Sequence, residues 1–414
     1  LRPRGHVTRA APAGGGRDKA GPAIPPPRFA ARYQAFPGQP ADGFAAVSRL
    51  LLGRLAAGLP PAAAMVVCSP AGVRYQAAGG WACLGHGSQG SGSAGTGTSG
   101  SGSAGTGAPG SGSAGAVPAG EDTRFDIASL TKVVVTVPLA LLLHQRGAWD
   151  IDEPIARWLD GAPGSPVTIR GCLTHTSGLV AHRKYFATCP DAAAIRRAVV
   201  SELATASGGP VCYSDLNFML LGWAIENCAG ERLDALAERE IFGPLGMART
   251  GFRPAAGRAA LAATEAGGAE GDRPGLIWGQ VHDGNAFALG GVSGHAGVFA
   301  PAADLGRFAA ALLTPGRHPV LGPAAIALMS SRQAAAGEDV RAVGWRLRPA
   351  GWGNWPASTL WHTGFTGTSL LVSPPLGVAV VLLSNAIHPA RRPAETAALR
   401  AQAHRAVRRA LWQA

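Results

Sequence analysis

Strand-forming residues in this chain fall at its two ends, with a long helical stretch between them, and that arrangement limits the folds open to it. Met65 to Cys68 and Val73 to Gln76 read as two strands around a turn at Ser69 to Gly72. The signal then returns only at Ala342 to Leu347, Thr359 to Thr363, Ser369 to Ser373 and Val378 to Ser384. From Asp150 to about His282 the chain alternates helical patterns (Ala192 to Thr205, Asn217 to Cys228, Leu233 to Ile241) with loops rich in Gly and Pro. Strands at both ends of a helical middle require a sheet assembled from distant sequence. The expected class is α/β (α+β): an antiparallel sheet flanked by helices, plus an all-helical subdomain over 150–285.

Three more helices are legible. Apolar residues recur at helical spacing from Phe44 to Leu59, where the fold is expected to begin, and a last amphipathic helix runs from about Glu395 to Leu411. The third, Ser129 to Gln145, is apolar on nearly every side and so should lie buried between layers, kinked at Pro138. Asp150-Ile151-Asp152-Glu153 reads as the acidic first turn of a helix.

Two segments lack the means to fold on their own. Residues 1–40 are rich in Pro, Gly, Ala and Arg without periodicity and read as a disordered basic arm. Between 84 and 120 a ten-residue unit repeats, GSGSAGTGTS from Gly90 and GSGSAGTGAP from Gly100. Such a unit has no face to bury, so it reads as a flexible insertion in the domain that spans 41–414.

With 47% apolar and 15% charged residues the chain as a whole is globular. Its net charge of +12 sits almost entirely at the ends: seven cations against Asp18 before residue 41, and six arginines against Glu395 after residue 390. The near-neutral centre lacks the basic stripe that nucleic-acid binding needs. No apolar run reaches the length of a membrane span; the longest, Val133 to Leu143, is broken by Thr136 and Pro138. No secretory signal is visible near the given start, so a cytoplasmic location is expected, with export left open because the sequence begins at Leu1 rather than Met. Six cysteines without a C-x-x-C pair read as structural thiols. His175, His182, His282 and His295 lack metal-ligand spacing and read as structural or loop-anchoring residues, with no metal or cofactor implied.

Of 37 basic residues only Lys19, Lys132 and Lys184 are lysines. Arginine stays charged in any protein environment, whereas a desolvated lysine can lose its proton and act as a base, so Lys132 has a chemical reason to persist. Ser129 precedes it by three residues at the mouth of the buried helix, on the same face. A hydroxyl needs an adjacent base to attack, and a helix N-terminus favours a developing oxyanion. Tyr213-Ser214-Asp215 follows in the helical segment; a phenol beside an ammonium can relay a proton. His362-Thr363-Gly364 lies on a strand that turns at Phe365, whose N–H, with that of Ser129, would form an oxyanion hole; Gly364 would let an acyl group approach. Each motif alone also fits something plainer: a capping serine, a half-buried tyrosine, a glycine-rich hairpin.

In this order the three resemble the active-site elements of the serine β-lactamase and penicillin-binding protein family, on its class C side. FDIASLTK (125–132), LTHTSGL (173–179), PLGM (244–247), VHDGNAFALGGVSGHAGVF (281–299) and HTGFTGTS (362–369) are similar to it as well. The resemblance implies a serine hydrolase that forms a covalent acyl-enzyme. Ser129 would be the nucleophile, Lys132 its activating partner, Tyr213 the general acid/base and Phe365 an oxyanion donor. Asp215, His362, Thr363 and Gly364 would bind substrate.

Two departures bear on the substrate. Asp215 stands where Asn is frequent and, when ionised, only accepts hydrogen bonds; His362 stands where much of the family has Lys and gives up fixed positive charge. Both disfavour an efficient β-lactamase and leave peptidase action on D-amino-acid peptides, or esterase action, as the expectation. The alternative is a non-catalytic protein that binds penicillin or cell-wall fragments on the same fold. Leaving group and oligomeric state stay open.

Overall fold

The central strands form where small and β-branched apolar residues run without interruption, because both faces of the sheet are covered there. The computed structural model describes residues 29–34, 43–85, 115–267, 273–318 and 320–412. In chain order the strands are β1 (Ala30–Tyr33), β2 (Ala62–Ser69), β3 (Gly72–Cys83), β4 (Val117–Pro118), β5 (Phe125–Asp126), β6 (Gly251–Phe252) and β7 (Val298–Ala300). They continue with β8 (Ala334–Ala336), β9 (Asp339–Arg341), β10 (Arg346–Leu347), β11 (Leu360–Thr363), β12 (Ser369–Ser373) and β13 (Val378–Ser384). The main sheet runs β1-β3-β2-β13-β12-β11-β10-β9-β8, with β4 added on β3, and every pairing is antiparallel. Its centre is the seam between β2 and β13, where Val67 faces Val380 and Met65 faces Leu382. This is the sheet from distant sequence that the strand pattern predicts.

The two faces of the seam serve two cores. Ala64, Val66 and Cys68 of β2, with Ala379, Val381 and Leu383 of β13, pack into the larger cluster, while Met65, Val67, Val380 and Leu382 pack into the other. The smaller core is closed by helices Ala45–Ala56 and Pro393–Trp412, the first and last of the described chain. The larger continues from the sheet through helix Ala302–Leu312 into helices Val137–Gln145 and Asp215–Ala229. A second, three-stranded sheet, β5-β7-β6, lies beside it.

Three expectations need correction. Most of residues 1–40, and the repeats from Gly90 onward, lie outside the described residues, but Ala30–Tyr33 is a strand, registered Ala31 to Ala77 on β3. The described fold thus starts before Phe44. The acidic run at 150–153 opens no helix: Asp152 accepts from Arg170 at 2.6 Å, Glu153 accepts from Trp158 Nε1 at 2.6 Å, and a single 3₁₀ turn, Ile155–Trp158, follows. The buried helix does not simply bend at Pro138. A π turn, Lys132–Thr136, precedes Val137–Gln145, so the proline falls in the first turn of a new α-helix, where its missing N–H is harmless.

Candidate active site

Ser129 is presented by a short, strained connection. Strand β5 ends at Asp126, whose buried carboxylate accepts the N–H groups of Ala128 at 2.8 Å and of His282 at 2.7 Å. Ala128 takes φ +48°, an uncommon conformation for a residue with a side chain, and Ser129 follows where the chain turns into the helix. The turn after β11 is fastened to the same connection: Thr366 Oγ1 donates to the Asp126 carbonyl at 2.7 Å and Thr368 Oγ1 to the Ile127 carbonyl at 3.1 Å. A Cβ on Gly364 would stand 2.1 Å from Thr368 Oγ1 and 2.4 Å from the Ile127 carbonyl. Gly364 is therefore needed so that two protein segments can touch.

Lys132, fully buried, donates to Ser129 Oγ at 2.9 Å and to the His295 carbonyl at 3.2 Å, and pairs with Asp215 Oδ1 at 2.8 Å. Burial disfavours the ammonium, but Asp215 and Tyr213 outweigh it and hold the amine above its ordinary value. This direction favours the ammonium in the free protein, beside the sequence expectation of an activating lysine. Asp215 is the reason. Burial works against its carboxylate too, yet Lys132, His182 and His295 hold it far below the usual range. With Oδ1 on Lys132 and Oδ2 3.2 Å from His182 Nδ1, Asp215 faces the lysine and is not part of the cavity wall.

Tyr213 is set by His175, whose ring lies 4.6 Å from it centroid to centroid. His175 has φ +60° and its Nδ1 accepts the Ser214 N–H at 3.1 Å; burial, then the neighbouring Arg341 and Lys132, keep it neutral. The Lys132 ammonium lies 5.0 Å from the centre of the tyrosine ring. His295 is held by Ser293 and Asp283, each at 2.8 Å, and this fixes the carbonyl that receives Lys132. The GHAGVF stretch is thus a second support for the lysine, wedged so close to helix Asp215–Ala229 that a Cβ on Gly294 would meet the Phe218 carbonyl at 2.1 Å.

A cavity of about 460 Å³ opens over Ser129, with Tyr213, His362, Thr363, Gly364 and Phe365 in its wall. His362 is buried; that burial, with Lys132 and Arg341 nearby, keeps its imidazole neutral, and its Nδ1 lies 3.0 Å from the Thr363 carbonyl. The backbone N–H groups of Ser129 and Phe365 have no hydrogen-bond partner among the described residues. Arginines also line it, Arg341, Arg346, Arg391, Arg392 and Arg400, with Asp339 in the same wall paired to the first two. Sequence reasoning passed over all five, because arginines on solvated faces look the same in a chain with so many.

The cavity wall thus holds the Ser129 hydroxyl and the Tyr213 phenol, with the Lys132 ammonium buried behind the serine and two N–H donors unpaired among the described residues. Comparison with known proteins agrees with it. The Beta-lactamase family model matches residues 47–405. A putative D-alanyl-D-alanine carboxypeptidase of Escherichia coli O157:H7 is 32% identical over 312 residues, 66% of this chain and 71% of the relative. In structure the chain is similar to EstCE1, a hydrolase with promiscuous acyltransferase activity (TM-score 0.66, 19% identity, 87% of this chain and 98% of the other). It is also similar to unliganded simvastatin synthase (LovD) of Aspergillus terreus (TM-score 0.64, 18% identity, 90% and 100%). At such identities the likeness speaks for the fold, and the family match over most of the chain for descent: this protein belongs to the β-lactamase family of serine hydrolases.

Proposed function

We propose that the protein is an acyl-transferring serine hydrolase of the peptidase or esterase type, with Ser129 as its nucleophile. The observation that carries the reading is the buried Lys132 ammonium 2.9 Å from Ser129 Oγ, behind a cavity wall in which the N–H groups of Ser129 and Phe365 have no partner among the described residues. Ser129 Oγ attacks an amide or ester carbonyl while Tyr213, acting as a phenolate beside the Lys132 ammonium, takes the hydroxyl proton. The carbonyl oxygen, now anionic, is received by the N–H groups of Ser129 and Phe365. The C–N or C–O bond then breaks as Tyr213 returns the proton to the leaving group, leaving an ester on Ser129. Water, giving its proton to Tyr213, attacks that ester, and its C–O bond breaks as Tyr213 passes the proton to Ser129 Oγ and frees the acid. Lys132 supplies the positive charge that favours the serine alkoxide and a phenolate in turn, and Asp215 keeps it charged.

The arginine wall fits a substrate that carries a carboxylate, as a peptide ending in D-alanine does, and restores the positive charge that a neutral His362 lacks. Treatment with a fluorophosphonate or a penicillin, followed by intact mass, is expected to give one adduct that maps to Ser129. An unmodified mass with both reagents, together with no hydrolysis of nitrocefin, p-nitrophenyl esters or D-Ala-D-Ala peptides, would refute the proposal.

A further inference from the structure

We propose that Arg400 is a positioning residue: it clamps the Gly364 carbonyl so that the Phe365 N–H of the same peptide faces the substrate oxygen. The inference rests on the acyl-enzyme reading above and assigns a part in it to the last helix.

The Arg400 side chain reaches from helix Pro393–Trp412 to the turn after β11, where its Nη2 donates to the Gly364 carbonyl. That oxygen also accepts the Gly367 N–H at 3.2 Å, so two donors converge on it. The Gly364–Phe365 peptide is trans. In a planar trans peptide C=O and N–H point in opposite directions, so holding one aims the other. The Phe365 N–H has no partner among the described residues, and its residue lines the cavity over Ser129. The phenyl ring is held too, stacked on His282 at 5.4 Å with Arg391 above it at 4.8 Å.

A charged donor on the carbonyl does more than aim the peptide. It polarises the amide and makes the opposite N–H a stronger donor, an effect that grows as charge develops on the substrate oxygen. Burial lowers the guanidinium to about 10, which leaves it charged at neutral pH. Its Nε is enclosed and unpaired, so the contact with Gly364 is the hydrogen bond that engages this side chain among the described residues.

The competing role is direct binding of a substrate carboxylate, and kinetics on two substrates separate them. Parent, Arg400→Gln and Arg400→Lys are compared on a neutral p-nitrophenyl ester and on a D-Ala-D-Ala peptide, with thermal melts to check folding. Positioning lowers kcat of Arg400→Gln about tenfold to a hundredfold on both substrates, with KM within about twofold, and Arg400→Lys recovers part of the loss. Inhibition by phenylboronic acid, which forms a tetrahedral adduct on the serine, weakens by the same factor as kcat/KM. A KM increase confined to the peptide, or an unchanged kcat in a folded Arg400→Gln, overturns the inference while leaving the acyl-enzyme reading intact. A parent that hydrolyses neither substrate and takes no adduct at Ser129 overturns both.

Discussion

Lys132 and Asp215 stand or fall as a pair. Taking one partner from a buried ion pair strands the other, which typically costs about 3–5 kcal/mol, whereas replacing both with apolar groups of similar size costs far less. Lys132→Met is therefore expected to lower the unfolding free energy sharply, and Lys132→Met with Asp215→Leu to recover much of it, as urea melts would read. The pH dependence has a defined sign at each end. The Asp215 carboxylate is held below its ordinary value, so its contribution is present above about pH 4 and is lost as the pH falls further. The amine is held above its ordinary value, so its contribution is full below about pH 10 and is lost as the pH rises through the raised value. Melts between pH 3 and 11 should show both limbs in the parent and a flatter profile in the double variant. The sequence already marked Lys132, as one of three lysines among 37 basic residues. It did not show that Asp215 pairs with the lysine, because that contact is set by side-chain direction, which residue spacing does not encode.

Glycine positions separate close backbone packing from mere flexibility at the level of elements. A Cβ at Gly364 or Gly294 would collide with a backbone carbonyl, at 2.4 Å and 2.1 Å respectively, and neither neighbour can move without dragging its segment. At Gly306, in helix Ala302–Leu312, the near atom is the Val66 Cγ1 at 2.9 Å, the end of a side chain that can shift. Gly364→Ala and Gly294→Ala are expected to cost more than about 2 kcal/mol. Gly306→Ala should come out near zero, its crowding offset by roughly 1 kcal/mol of helix propensity. Thermal melts of the three variants would test that order. The same distinction explains which elements were legible. β2, β12 and β13 are buried throughout, so their apolar runs announce them. β1 is an exposed edge strand held by hydrogen bonds to β3, and β5 and β6 are two residues long, so no pattern can reveal them. The π turn at Lys132–Thr136 was equally hidden, since a widened turn has the same composition as an α-helical one.

Across the whole molecule the layout follows from where the strands pair. Cys83 of β3 sits opposite Val117 of β4, and Gly115 lies against Gly85, so the chain leaves and returns at one point. A protein lacking residues 86–114 would close there with a short hairpin loop. Loop-closure entropy changes by only about 0.6 kcal/mol per doubling of length, so the deletion should keep activity and leave the melting temperature unchanged or raised. Calorimetry and an ester assay on the shortened protein would check both.

The seam between β2 and β13 carries a cost in time. The ribosome finishes β2 at Ser69 and does not begin β13 until Val378. At roughly 5–20 residues per second the early hairpin waits about 15–60 seconds for its neighbour, with an apolar flank and a row of unpaired amides in water. Through that interval the nascent chain depends on whatever shields sticky edges in the cell, and slower translation of its second half would lengthen the exposure.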